Sequence, residues 1–346
     1  MAEKNRKWVL KSRPQGLVDR SNFEWRDEPV PDIGDGEFLV RNLWLSCDPT
    51  QRGWMEFDTY VPAIPIGEVM RSASAGQVVE SKHADFARGD LVSGAFGWQD
   101  YAVSNGDGLV PPMRIPPGVD FATVLSLFGI TGLTAYFGLL DIGAPKPGET
   151  VVVSGAAGST GSFAAQIAKI KGARVIGIAG GAKKCAWLTD ELGLDATIDY
   201  REENVGGRLA ELCPAGVDVY FDNVGGEILD AVLAHLANGA RIALCGAISG
   251  YNDLAHMPGI RNYVNLIIHR ATMRGFLVFD FAARIPEAIV ELSGWAAAGQ
   301  LKNQVDVVDG LENAPDALRR LFTGENLGKQ LVKIADPELL SEPPRT

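Results

Sequence analysis

The hydrophobic pattern of the chain changes character near Gly129. Before that point apolar residues come in short runs, such as residues 37–43 and 76–80, cut apart by proline and glycine clusters at 30–36, 111–112 and 116–118. Short runs between turn formers predict strands of an irregular small barrel or partly open sheet. Beyond that point the pattern alternates between apolar strands and helical stretches. Strands are predicted over residues 151–154, 173–179, 196–199, 217–221, 240–245 and 273–278. Helical runs lie between most of them, one over 226–236, and a long one over 284–298 closes the section. Near-continuous apolar strands joined by crossovers predict a parallel, doubly wound sheet. The last stretch returns to a strand at 304–308, a short helix at 314–322 and a strand at 329–334, with a loosely attached tail from Asp336. It is too short for a third domain and is assigned to the first. The expected class is α/β, with a β-rich domain over residues 1–128 and 299–346 and a doubly wound domain over 129–298.

The strand at 151–154 breaks into Gly155-Ala-Ala-Gly158-Ser-Thr-Gly161, which opens a helix running to Ile170. Strand, glycine turn and helix in that order suit a pyrophosphate: Gly158 and Gly161 allow close backbone approach, and the N–H groups and dipole of the helix start favour an anion. A tight turn on a buried strand is the plainer reading. Ala156 stands where the usual pattern has its first glycine. The next strand ends at Gly180-Gly181, followed by Ala182-Lys183-Lys184, with no carboxylate before Asp190. A fold that prefers NAD places an acid there for the ribose hydroxyls. Its absence removes repulsion against a 2′-phosphate. A lysine adds a charge-assisted hydrogen bond of about 1.5–3 kcal/mol, on the order of 10- to 100-fold in affinity. Solvated lysines at a helix start would meet an unfavourable dipole. The predicted cofactor is NADP.

Composition narrows the setting. A hydrophobic content of 46% is ample for sizeable cores, and a formal net charge of −11 argues against nucleic acid or an anionic membrane as partner. No apolar run reaches signal-peptide or membrane-spanning length, and Cys47, Cys185, Cys213 and Cys245 form no C-x-x-C pair, so a reducing cytoplasm is expected.

Motifs spread along the chain resemble the medium-chain dehydrogenase/reductase superfamily, in its zinc-independent branch of prostaglandin, leukotriene and alkenal/one reductases. They are Asp48-Pro-Thr-Gln-Arg-Gly53, Gly132-Leu-Thr-Ala-Tyr-Phe-Gly-Leu-Leu140, Tyr220-Phe-Asp-Asn-Val-Gly-Gly226, Cys245-Gly-Ala-Ile-Ser-Gly-Tyr-Asn252, Gly275-Phe-Leu-Val278 and Asn326-Leu-Gly-Lys-Gln-Leu-Val332. The resemblance implies a GroES-like catalytic domain beside a Rossmann NADP-binding domain. It implies that Gly158, Ser159, Thr160 and Gly161 meet the pyrophosphate, and Gly180, Lys184 and Tyr200 the 2′-phosphate end. Asn223, Cys245, Gly246, Ile248 and Asn326 would lie along the nicotinamide riboside. Backbone groups of Phe276, Leu277 and Val278 would serve the carboxamide, and Tyr251 the reacting end. Asn223 also reads as a helix cap, Tyr251 as a loop aromatic and Asn326 as a turn residue. Thr50 and Gln51 depart from the family's early motif, where an aromatic often follows Asp-Pro. Tyr60 and Arg52 are pocket candidates that read equally as packing or surface residues.

The zinc ligands of related alcohol dehydrogenases are not matched. Cys47 falls near their first ligand, but Ile66-Gly67-Glu68 lacks the histidine of their Gly-His-Glu segment, and the later half offers no third ligand. No metal is expected. No tyrosine has a lysine four residues on, so the proton donor pair of short-chain ketone reductases is absent as well. Hydride addition to the β-carbon of an enone or enal demands less, because the enolate spreads its charge and one or two hydrogen bonds can hold it. The expected activity is NADPH-dependent reduction of an activated C=C bond. An NADPH:quinone oxidoreductase and a non-catalytic NADPH-binding protein are the rival readings. The resemblance also implies a homodimer, paired through a sheet edge near residues 275–279.

Overall fold

The computed structural model describes residues 4–108, 110–253 and 256–338, so most of the tail lies outside the described residues. The chain divides into two compact units, with cuts after Leu125 and after Gln304. The first unit begins with the antiparallel pair β1 (Lys4–Leu10) and β2 (Phe23–Pro29). It continues through β3 (Phe38–Ser46), β4 (Ser74–Ser81), β5 (Leu91–Gly94), β6 (Tyr101–Ser104) and β7 (Met113–Arg114). The second unit supplies β8 (Thr150–Ser154), β9 (Arg174–Ala179), β10 (Ala196–Asp199), β11 (Val217–Asp222), β12 (Leu236–Leu244) and β13 (Thr272–Gly275). The chain re-enters the first unit with β14 (Val305–Asp309) and β15 (Lys329–Lys333).

In the first unit β15 lies antiparallel to β3, pairing Leu331 with Ser46, so the returning segment completes the sheet β14-β15-β3-β4-β5-β7. Trp8, Phe23, Leu45, Met55, Trp98, Leu318 and Val332 fill one core, and the Trp8 indole N–H donates to the Leu311 carbonyl at 2.9 Å. Burial of these apolar side chains supplies the main driving force for that closure.

The second unit is a six-stranded sheet in the order β10-β9-β8-β11-β12-β13, parallel at every pair. Val151, Val152 and Val153 are completely buried, as both faces of such a sheet require. Strand order reverses between β8 and β11, and ligands of doubly wound sheets bind at the carboxyl ends flanking such a reversal. The glycine turn leaves β8 and Asn223 leaves β11, so both stand at that point.

Several boundaries differ from expectation: β12 begins at Leu236 rather than 240, and the helix predicted over 226–236 ends at Leu233. The strand predicted over 273–278 ends at Gly275, and Val278–Arg284 winds into a 3-10 turn braced by the Leu277 N–H on Asp280 Oδ2 at 3.3 Å. Residues 299–304 stay with the second unit, because the Lys302 N–H donates to Gln166 Oε1 at 2.7 Å and Ser126 Oγ to Asn303 Oδ1 at 2.8 Å. Among the described residues no helix is long and apolar enough to cross a membrane.

Candidate cofactor and substrate sites

The phosphate turn is built by backbone geometry. Gly155 takes the left-handed region at φ +57, and the Gly158 N–H closes on its carbonyl at 2.9 Å. Gly158 then starts the helix Ser159–Ile170 with no side-chain cap, leaving the first-turn N–H groups as donors for an anion. Gly158, Ser159 and Thr160 are half-buried, whereas Gly161 is buried. A Cβ on Gly161 would fall 2.2 Å from the Gly155 carbonyl oxygen. Gly161 thus serves close helix-to-turn packing, and the surface offered to a ligand belongs to the three residues before it. Ser159 Oγ donates to Thr131 Oγ1 at 2.8 Å, which steadies the helix start.

At the end of β9 the Tyr200 ring lies over Gly180, 2.8 Å from where a Cβ would stand. Tyr200 is 46% exposed, so ring and glycine together make an open shelf. Lys184 sits in the first turn of the helix Ala182–Asp190, and an Arg201 guanidinium nitrogen approaches the Gly181 Cβ position to 3.9 Å. Asp199, at the end of β10, is turned inward. It accepts the Gly181 N–H at 2.8 Å and the Arg201 N–H at 3.1 Å. Sequence reading passed over Asp199 and Arg201; their place at the end of the neighbouring strand was the available signal.

Asp222, at the end of β11, organises the opposite wall. Fully buried, its Oδ1 accepts Ser154 Oγ at 2.8 Å, the Tyr220 hydroxyl at 2.7 Å and the N–H groups of Val224 and Gly225 at 3.0 Å. Asn223 is thereby fixed beside the glycine turn. Its side-chain N–H donates to the Ser154 carbonyl at 2.7 Å, and no side chain caps the following helix, Gly226–Leu233. The Cys245 and Gly246 N–H groups donate to the Asp222 carbonyl at 2.8 and 3.0 Å, and Ile248 N–H to Asn223 O at 3.3 Å. Burial, with help from the Asp222 carboxylate, pushes the Cys245 thiol up to about 12, so it remains a neutral wall residue. Tyr251 folds back over this turn and its hydroxyl accepts the Ala247 N–H at 3.1 Å. Phe276 packs inward: a Cβ on Gly138 would fall 2.1 Å from its ring. Leu277 and Val278 follow the end of β13 as turn backbone rather than strand.

The remaining predicted residues belong to the first unit. Arg52 is 1% exposed and its guanidinium is consumed by the Pro14 carbonyl at 3.2 Å, the Gly16 carbonyl at 3.2 Å and Glu56 at 2.5 Å. It fastens the N-terminal loop, and the catalytic expectation for it is corrected on that ground. Tyr60 lies edge-on to Trp54 at 6.3 Å, and burial pushes its hydroxyl upward against the opposing effect of hydrogen bonding to Thr50. Asn326 is 7% exposed and donates to the Gly328 carbonyl at 3.0 Å, bracing the turn into β15. Lys329, buried, pairs with Asp48 and donates to the Cys47 carbonyl at 3.1 Å.

Comparison with known proteins places these features in a family. A model described as the N-terminal domain of oxidoreductase matches residues 6–111, and one described as zinc-binding dehydrogenase matches 159–294. The residues present do not fit a zinc ion. Burial pushes the Cys47 thiol up to about 12, and Asp48 beside it is taken by Lys329. Among the described residues no three His, Cys, Asp or Glu side chains converge as a ligand set. The NADPH-dependent curcumin reductase of Escherichia coli (strain K12) is 41% identical over 339 residues, 96% of this chain and 98% of its own. The 2-alkenal reductase (NADP(+)-dependent) of Nicotiana tabacum is 37% identical over 348 residues, covering 97% and 99%. The crystal structure of CurA in complex with NADPH from Vibrio vulnificus has a TM-score of 0.90 at 43% identity, covering 96% of this chain and 100% of that one.

Proposed function

Since the chain belongs to the medium-chain dehydrogenase/reductase superfamily, in its zinc-independent reductase branch, we propose that it reduces the activated C=C bond of α,β-unsaturated aldehydes and ketones. It is an NADP-dependent oxidoreductase, and its residues fit that cofactor. The uncapped helix start at Gly158 suits the pyrophosphate, and the shelf of Gly180 and Tyr200 beside Lys184 suits the 2′-phosphate end. Asn223, Gly246 and Ile248 would hold the nicotinamide riboside, with the backbone at 276–278 beside the carboxamide. When bound, NADPH supplies the hydride equivalent that the β-carbon receives.

The observation that carries the reading is Tyr251. The Ala247 N–H fixes its hydroxyl oxygen at 3.1 Å, at the turn that follows β12. A hydroxyl accepting one bond at oxygen is more strongly polarised as a donor, so it stabilises negative charge on the carbonyl oxygen as the enolate forms. Solvent then protonates the α-carbon. The 2-alkenal reductase relative supports an enal as one substrate class, and the curcumin reductase supports a larger conjugated one. Replacing Tyr251 with Phe should lower kcat on an enone roughly 10- to 100-fold, the range for one oxyanion donor or less. Unchanged enone kinetics would remove Tyr251 from the mechanism.

The same reading includes a homodimer. β13 is the edge strand of the parallel sheet, and beside it the helix Val264–Ile268 exposes Ile267 at 73% and Ile268 at 56%. An open strand edge flanked by apolar side chains suits isologous pairing with a second copy. The four cysteines are unpaired, which fits a cytoplasmic setting.

A further inference from the structure

The stretch between the Tyr251 turn and the helix Val264–Ile268 is held down by one thioether. His256, Pro258 and Gly259 are exposed, whereas Met257 between them is half-buried. A Cβ on Gly250 would fall 2.5 Å from Met257 Sδ, and a Cβ on Gly225 would fall 2.9 Å from its Cε. Gly250 does not take the left-handed region, so its missing side chain serves to make room for the sulfur. One methionine therefore rests on both turns of the wall that Asp222 organises, at 223–226 and 246–251. All of these residues belong to the second unit.

The turn beneath the sulfur has no backbone donor to spare. The Ala247 N–H goes to the Tyr251 hydroxyl at 3.1 Å, and Ser249 Oγ donates to the Val224 carbonyl at 2.6 Å. The N–H groups of Ile248, Ser249, Gly250 and Tyr251 go to the carbonyls of Asn223, Val224, Ala247 and Ile248 in that order. A thioether suits such a surface, because it is apolar and polarisable. A sulfoxide does not. Its oxygen is a strong acceptor, and leaving it unanswered against the turn costs more than the contact is worth.

We propose that Met257 is a modification site for hydroperoxides, and that its oxidation releases this segment and weakens NADPH binding. The sulfur lone pair attacks the outer peroxide oxygen, so an S–O bond forms as the O–O bond breaks. The proton on the transferred oxygen passes to the departing one, which leaves as water or an alcohol. Sulfur gives up two electrons and the peroxide takes them. Methionine sulfoxide reductases reverse the step, which makes it a switch rather than damage. The link to NADPH rests on the cofactor placement proposed above, whereas the docking of Met257 stands on its own geometry.

The test treats the protein with graded hydrogen peroxide, then maps peptides by mass and titrates NADPH by fluorescence. The one-oxygen gain at Met257 should track a rise of about fivefold or more in the NADPH Kd. A methionine sulfoxide reductase should restore the original Kd. Met257→Leu keeps the apolar volume and should show no such rise. Met113, 56% exposed in the first unit, should be oxidised in both proteins and is the internal control. Hydrogen exchange of the amides at 247–251, measured without NADPH, should quicken on oxidation in the unaltered protein only. An equal rise of Kd in Met257→Leu would overturn the assignment. So would a Met257 left intact when Met113 is fully converted, or unchanged exchange once Met257 is oxidised. Faster exchange with an unchanged Kd would overturn the link to NADPH, and with it the cofactor placement, while sustaining the docking.

Discussion

Gly180 and Gly161 are both intolerant of a side chain, for different reasons, and the difference separates reading a ligand from holding the fold. Gly161 is closed off by the Gly155 carbonyl, whereas Gly180 is covered only by the half-exposed Tyr200 ring. The glycine spacing was legible in the sequence because it is local. The division of labour between the glycines was not, since it depends on which atoms each one faces. Asp222 shows the same limit. It lay inside a recognised motif, yet its importance comes from Ser154, 68 positions away, and from a turn it braces. Arg52 was legible as a cation in the Asp48–Gly53 motif but not as one spent on the Pro14 and Gly16 carbonyls and Glu56. Lys184 gives the sharpest residue-level prediction. With Asp199 turned inward and the Gly180 shelf open, the lysine is proposed to read the 2′-phosphate. Lys184→Ala should weaken NADPH binding about 10-fold or more and leave NADH binding nearly unchanged, measured as Kd by fluorescence titration. Equal losses for both would mean that it supports the fold.

Among the elements, the strands of the parallel sheet were read from their apolar runs, and the errors fell at ends. β13 stops at Gly275 because Asp280 captures the Leu277 N–H, a side-chain competition with no periodic signature. A second acid sets the segment before β13. Asp230, on the helix Gly226–Leu233, accepts the N–H groups of Arg261 and Asn262 at 2.7 and 2.8 Å. Burial pushes its carboxyl upward, but those two N–H groups and the Arg261 guanidinium outweigh it and hold the carboxyl below its ordinary range. A depressed carboxylate contributes stability in full above its unfolded value, near 4, and loses it as pH falls through the lower folded value. Below about pH 4 the amides at 261–268 should therefore lose hydrogen-exchange protection ahead of the parallel sheet. Asp230→Asn should remove that pH dependence. Loosening of this segment that keeps the same acid midpoint in the variant would assign the effect elsewhere.

For the whole molecule, the order of a β-rich part, a doubly wound part and a short return was visible in the change of period near Gly129. The partners of the returning strand were not, because β15 and β3 are joined across the entire second unit. The exposed edge at β13 carries the prediction of a homodimer. Sedimentation should give twice the 37.0 kDa chain mass, and Ile267→Glu, at a 73% exposed position, should shift it toward the single chain. A monomer in the unaltered protein would refute the pairing.

The account turns on where the substrate is reduced, and the product answers that directly. Incubated with NADPH and (E)-non-3-en-2-one, the enzyme should release nonan-2-one, the saturated ketone, identified by gas chromatography. Release of the allylic alcohol non-3-en-2-ol would place reduction at the carbonyl and contradict double-bond chemistry.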